Sequence, residues 1–270
     1  MSTRNPSGIA LVTGASRGIG AVYAERLARR GYDIILVARD QRRLEQLASR
    51  IALATKRNVS LIVADLTQEA GIRSVERELE ANNRINVVVN NAGAASIGVP
   101  LAQSDVAKNQ ELIQLNVVAL TRIARASAAA FTRRRYGTLV NISSALALKV
   151  RATAAIYSGT KAYVLQLSRV LQEELADKGV TVQVVLPGAV STDIWSTNGI
   201  DVATLPKGSV MSPEELVDAA LAGLDHGELV TLPSLANVAE WERFEQARLA
   251  LAQNLSLDRA AERYKQAEPA

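Results

Sequence analysis

The chain has 270 residues, no cysteine and one histidine, with 48% hydrophobic but only 4% aromatic residues and a formal net charge of +4. An interior built from Ala, Val, Leu and Ile on this scale is the filling of a helix-covered parallel sheet, so an α/β protein is expected. The composition excludes disulfides, thiolate metal sites and a histidine zinc cluster, and a weak, scattered charge without a basic stripe excludes nucleic acid as the expected partner. No metal site is expected. The N-terminus carries no export signal and no apolar run is long enough to span a membrane, so a cytoplasmic protein is expected.

Residues 8–12 read as a short buried strand and residues 19–30 as a helix stopped by Gly31. Between them lies Thr13-Gly14-Ala15-Ser16-Arg17-Gly18-Ile19-Gly20. Glycines on a strand-to-helix turn let an anion approach backbone N–H groups at the positive end of a helix, and a dinucleotide pyrophosphate is the natural occupant. The spacing is Gly-x-x-x-Gly-x-Gly, not the commoner Gly-x-Gly-x-x-Gly. Its first half, Gly14-Ala15-Ser16-Arg17-Gly18, also matches a hydrolase nucleophile elbow. That rival is disfavoured, because an elbow follows several strands and because His226, the only histidine, sits in an Asp-His-Gly turn.

Residues 33–38 form a second strand, after which a carboxylate would meet the adenine ribose of a dinucleotide. This chain places Ala38 and Arg39 there, with Arg17 as a second cation, which suits a 2′-phosphate. A third strand, 59–64, ends at Asp65-Leu66, and a helix follows over 68–81. The strand at 87–89 runs into Asn90-Asn91-Ala92-Gly93, small residues at the end where an open α/β sheet meets its ligand. A long helix over 104–131 carries Asn116 in an apolar run, as a structural clamp or as part of a polar site. A fifth strand, 139–142, stops at Ser143-Ser144.

Tyr157-Ser158-Gly159-Thr160-Lys161 opens the next helix and puts Tyr157 and Lys161 on one face. An ammonium near a phenol lowers its pKa toward the range useful for proton exchange with an alcohol. A sixth strand, 180–186, leads into Pro187-Gly188-Ala189-Val190-Ser191-Thr192. Residues 193–211 lack periodicity and are expected to form a mobile lid hinged near Gly199 and Gly208, with Trp195 toward substrate and Leu146 and Leu148 on the opposite wall. Ser212-Pro213-Glu214-Glu215 is a capping box opening a helix, and residues 228–232 form the last strand. A helical tail follows, with Val238, Trp241, Phe244, Leu251 and Leu255 at helical spacing.

In order and spacing, these residues resemble the short-chain dehydrogenase/reductase family over roughly residues 8–192. The resemblance rests on the glycine turn, Asp65, Asn90 to Gly93, Asn116, Ser144, Tyr157 with Lys161, and Pro187-Gly188 with Thr192. It implies a doubly wound, parallel seven-stranded Rossmann-like sheet with helices on both faces. The expected organisation is one domain over 1–235 and a helical extension over 236–270, packed on that domain or on a partner subunit.

The resemblance further implies an NADP(H)-dependent oxidoreductase working on a carbonyl or alcohol substrate, as a homodimer or homotetramer. Tyr157 is then the acid/base, and the family's spacing selects Ser144 over Ser143 as its partner. Lys161 tunes the phenol and holds the nicotinamide ribose, and Asn116 supports a water chain to it. Gly14, Ser16, Arg17, Gly18, Ile19, Gly20, Arg39, Asp65, Leu66, Asn91, Ala92, Gly93, Pro187, Gly188, Val190 and Thr192 are implied at the cofactor. Leu146 and Trp195, with Ser144 and Tyr157, are expected at a small apolar substrate. The loop Ala145-Leu146-Ala147-Leu148-Lys149 lacks the family's usual glycine, and the usual glycine-rich C-terminus is absent. A catalytically idle NADP-binding protein is the alternative, but it would need no tuned phenol.

Overall fold

The computed structural model describes residues 8–264, and residues 1–7 and 265–270, included in the expected domain and tail, lie outside the described residues. The described chain divides into two units at Pro233/Ser234.

In the first unit, strands and helices alternate as β1 (Ile9–Thr13), α1 (Gly18–Arg29), β2 (Asp33–Ala38), α2 (Gln41–Thr55), β3 (Val59–Val63), α3 (Glu69–Ala81) and β4 (Ile85–Asn90). They continue through α4 (Val106–Ile113), α5 (Leu120–Arg134), β5 (Gly137–Ile142), α6 (Ala155–Leu175) and β6 (Val180–Val185). The unit closes with the short β7 (Ala189–Val190), α7 (Ile194–Thr197) and β8 (Val210–Met211), then α8 (Pro213–Asp225) and β9 (Val230–Thr231). Seven strands form one sheet in the order β3-β2-β1-β4-β5-β6-β9, every pair parallel. Strand order reverses between β1 and β4, the switch point at which such sheets open a crevice at their carboxyl ends.

Alternation within each strand decides which layer a side chain enters. From β1, Ala10 and Val12 join a cluster with Tyr23 and Leu27 of α1, Leu44 and Leu47 of α2, and Leu216 and Val217 of α8. Ile9 and Leu11 face the other way, into a cluster with Ile72 and Leu79 of α3, Ile123 and Phe131 of α5, and Leu171 of α6. Both faces are therefore covered, which is why the strands read as continuous apolar runs. Paired Arg–Asp contacts tie α1 to α8: Arg26 meets Asp218 at 2.6 Å and 3.0 Å, and Arg30 meets Asp225 at 2.9 Å and 2.8 Å. The capping box at α8 is formed, with the Ser212 hydroxyl accepting from the Glu215 amide at 3.1 Å.

Two local expectations change. The long helix over 104–131 is instead α4, a π-helical turn at Gln114–Ala119, and α5. Asn116 lies in the wide turn, a departure from the regular helix that is frequent at functional sites. Residues 193–211 are not structureless: α7, a 3₁₀ turn at Val202–Thr204 and β8 break them into pieces too short to display a period. β8 pairs with β7, and Asn198 Oδ1 accepts from the Ile97 amide at 3.1 Å.

The second unit contains α9 (Val238–Ala252), begun by Asn237, whose side chain accepts from the Ala239 amide at 3.0 Å. The Trp241 and Phe244 ring centroids are 5.3 Å apart. Leu255, expected on the same helical stripe, falls beyond the end of α9.

Candidate active site

The carboxyl ends of β1, β4, β5 and β6 deliver the site. Gly14 ends β1's turn at φ +65°, and a Cβ there would lie 2.8 Å from Asn91 Nδ2 and 2.9 Å from Ala92 Cα. Only glycine fits this approach of two loops. Asn91 is what holds them: its amide donates to the carbonyls of Thr13 at 2.8 Å and Gly14 at 3.3 Å. Thr13 reciprocates, its hydroxyl accepting from the Asn91 and Ala92 amides at 3.0 Å and 2.9 Å. Asn91 thus shapes the cradle with a side chain turned toward the glycine turn. Gly18, Ile19 and Gly20 form the first turn of α1, whose N-cap Arg17 uses no side chain on the helix, so the backbone donors there stay free for an anion.

At the second strand's end, Arg39 is mostly exposed and lies 3.8 Å from Asp65, too long for a hydrogen bond. The Asp65 carboxylate accepts from the Thr67 amide and hydroxyl at 2.9 Å and 2.7 Å. Burial works against its charge, but these donors and Arg39 hold the carboxyl below its usual range. The Leu66 side chain is buried in the cluster of Ile72 and Val75. Arg17 and Arg43 both meet Asp193, at 2.7 Å and 3.7 Å. Arg43, in the first turn of α2, carried no signal in the sequence beyond its charge.

The reacting groups gather where α6 begins. Tyr157 and Lys161 are buried, with Lys161 Nζ 5.7 Å from the phenol ring centroid. Lys161 Nζ donates to the Ile142 carbonyl at the end of β5, at 2.9 Å. Burial pulls the ammonium down to about 8. Burial also raises the Tyr157 phenol, and its interaction with the Ser144 hydroxyl offsets only part of that. Of the serine pair, Ser144 faces the phenol, while Ser143 donates to the Lys161 carbonyl at 2.7 Å and pins α6 to β5. The Ser144 hydroxyl also accepts from the Leu146 amide at 3.1 Å.

Asn116 closes the back of the site. Its Oδ1 accepts from the Ala94 amide and its Nδ2 donates to the Ala94 carbonyl, both at 2.9 Å. The same Nδ2 donates to Thr160 Oγ1 at 3.1 Å, and Thr160 donates to the Tyr157 carbonyl at 2.8 Å. Asn116 is therefore a clamp inside a polar site, which joins the two open readings. A Cβ on Gly93 would lie 3.2 Å from Asn116 Oδ1 and 3.5 Å from Lys161 Nζ, so this glycine leaves the ammonium its space. Thr13, Ser143 and Thr160 were legible only as polar residues at strand ends or inside the Tyr-to-Lys turn.

Around the phenol the walls are apolar. Tyr157 clusters with Ile97, Leu112, Ala154 and Trp195, and Leu146, Ile194 and Ile200 pack against them. Trp195 is buried, and its indole N–H donates to the Val190 carbonyl at 2.7 Å. Leu148 is exposed and outside this cluster, contrary to its expected place on the wall. Pro187 accepts from the Ala145 amide at 2.8 Å, which joins the loops after β5 and β6, and Gly188 and Val190 carry the chain to Thr192. Ser16, Arg17, Gly18, Thr192 and Asp193 all line one cavity of about 750 Å³.

A family model described as short chain dehydrogenase matches residues 8–202. A short-chain dehydrogenase from Sphingobium yanoikuyae, solved in complex with NADPH, is 46% identical with a TM-score of 0.91, covering 95% of this chain and 100% of that one. The bulky-bulky ketone specific alcohol dehydrogenase from Comamonas testosteroni is 44% identical with a TM-score of 0.87, covering 95% and 98%. The 17-beta-hydroxysteroid dehydrogenase type 3 of Danio rerio is 31% identical over 223 residues, 81% of this chain and 70% of that protein.

Proposed function

This chain belongs to the short-chain dehydrogenase family, and from that premise we propose that it reduces a bulky, apolar ketone, or oxidises the matching alcohol, with NADP(H). The observation that carries the reading is the convergence of Ser144, Tyr157 and Lys161 beside a glycine cradle that a single Cβ would block. NADP(H) is favoured by Arg17, Arg39 and Arg43 and by the NADPH-bound Sphingobium relative. A bulky apolar ketone is favoured by the Ile97, Leu146 and Trp195 walls, against which sugar hydroxyls would stay unpaired, and by the Comamonas relative's specificity.

The bound cofactor supplies hydride to the carbonyl carbon. Tyr157, kept neutral by burial, gives its proton to the carbonyl oxygen as charge develops there. Ser144 donates a hydrogen bond to the same oxygen. Lys161, anchored on the Ile142 carbonyl with its Nζ 5.7 Å from the phenol ring centroid, places a positive charge that balances the phenolate that remains. In the alcohol-oxidising direction the phenol must first lose its proton, so that direction gains from rising pH.

A cytoplasmic homodimer or homotetramer is part of the same proposal and rests on the family resemblance; among the described residues no helix is long and apolar enough to cross a membrane. The test is NADPH oxidation by the purified protein against diaryl and aryl-alkyl ketones, with hexoses as the polar control. Turnover of the ketones alone supports the reading, and turnover confined to the sugars contradicts the substrate class.

A further inference from the structure

Asp193 places a carboxylate among the arginines of the cofactor site. Asp193 Oδ2 lies 2.7 Å from Arg17 Nη1 and 3.7 Å from Arg43 Nη1. The two guanidiniums come from different elements, one from the glycine turn and one from the first turn of α2. Asp193 itself follows Thr192, whose Cγ2 would lie 3.1 Å from a Cβ on Gly18, so the chain leaving Thr192 runs against the glycine turn. The Asp193 side chain makes no capping hydrogen bond to α7, and only its carbonyl serves that helix, accepting from the Thr197 amide at 3.0 Å. Its carboxylate thus bonds Arg17 and stands near Arg43, whose Nε lies closer to Asp40, at 3.2 Å.

A carboxylate bonded to one guanidinium and close to a second imitates part of what a phosphate monoester requires of the same pair. We propose that Asp193 sets cofactor choice: in the free protein its carboxylate occupies the guanidinium pair that a 2′-phosphate takes, and NADP(H) binds by displacing it. The inference rests on the NADP(H) reading above. A cofactor without the 2′-phosphate does not contest the pair and binds without breaking it. All three side chains are about half exposed, so the pair is screened and the effect is modest. Asp193 therefore lowers the preference for NADP(H) below what the cations alone would give.

The experiment is titration of NADPH, NADH, adenosine 2′,5′-bisphosphate and 5′-AMP into the wild type, Asp193→Asn, Arg17→Ala and the double variant, followed by cofactor emission and calorimetry. Asp193→Asn preserves shape and the backbone bonds of α7. It is expected to tighten NADPH and the bisphosphate about three- to tenfold and to leave NADH and 5′-AMP within about twofold. In the Arg17→Ala background that gain shrinks toward unity, since the carboxylate then has less to block. Unchanged or weaker NADPH binding in Asp193→Asn overturns the inference. So does an equal gain for NADH, which would make Asp193 a general repulsive charge, or a gain undiminished without Arg17. If the wild type binds NADH as tightly as NADPH, the NADP(H) reading itself falls, an outcome visible before any variant is compared.

Discussion

The side chain of Asn116 and the backbone of Ala94 exchange two hydrogen bonds of 2.9 Å each, and through Thr160 the same amide reaches the turn that carries Tyr157 and Lys161. A π-helical turn presents Asn116, so irregular backbone in one helix fixes the loop after β4 and the start of α6 together. Asn116→Ala leaves the Ala94 amide and carbonyl without that partner, at a cost of about 2–4 kcal/mol for the pair. Denaturant unfolding is expected to show that loss, and kcat on a ketone substrate should fall at least about tenfold through misplaced Tyr157 and Lys161. Wild-type stability in this variant would mean the clamp does not stabilise the fold.

Arg39 is exposed and only loosely paired, so it is free to turn onto a 2′-phosphate. Arg39→Ala should weaken NADPH about ten- to a hundredfold, the loss of one charge-assisted contact of roughly 1.5–3 kcal/mol, and leave NADH nearly unchanged. Calorimetric titration of both cofactors checks this, and an equal loss for both would remove Arg39 from the phosphate site.

Lys161 should impose a pH dependence on stability. Burial lowers its folded-state value to about 8 from 10.5, so the unfolded chain holds more protons across that interval and stability rises with pH through it. Below about pH 8 the buried ammonium costs the fold on the order of 3 kcal/mol. Lys161→Met removes this cost but also the bond to the Ile142 carbonyl, so the informative quantity is the change with pH. The stability difference between variant and wild type should move in favour of the wild type between pH 7 and 10. A difference constant over that range would show that Lys161 does not titrate where its burial implies.

The sheet was legible because apolar runs broken by turns repeat in a parallel α/β order, and the seven strands fall within a few residues of expectation. Ser144, Tyr157 and Lys161 were legible as a set only through the family's spacing, since each alone is an ordinary polar residue. The break in the helix around Asn116 was not legible, because a π turn leaves the apolar pattern almost unchanged and is paid for by contacts distant in sequence, to Ala94 and Thr160. Leu148 was misplaced for the same kind of reason: near a short turn, the side of the chain a leucine faces depends on local backbone geometry that composition does not carry. Residues 193–211 looked irregular because their elements run for only two to four residues, too few for a period to repeat.

The central claim, that Tyr157 moves the proton, is tested most directly by Tyr157→Phe with NADPH binding and single-turnover ketone reduction measured on one preparation. The phenol acts on the substrate oxygen and not on the dinucleotide, so NADPH affinity should stay within about twofold while turnover falls at least about a hundredfold. Near-normal turnover by Tyr157→Phe would contradict the account.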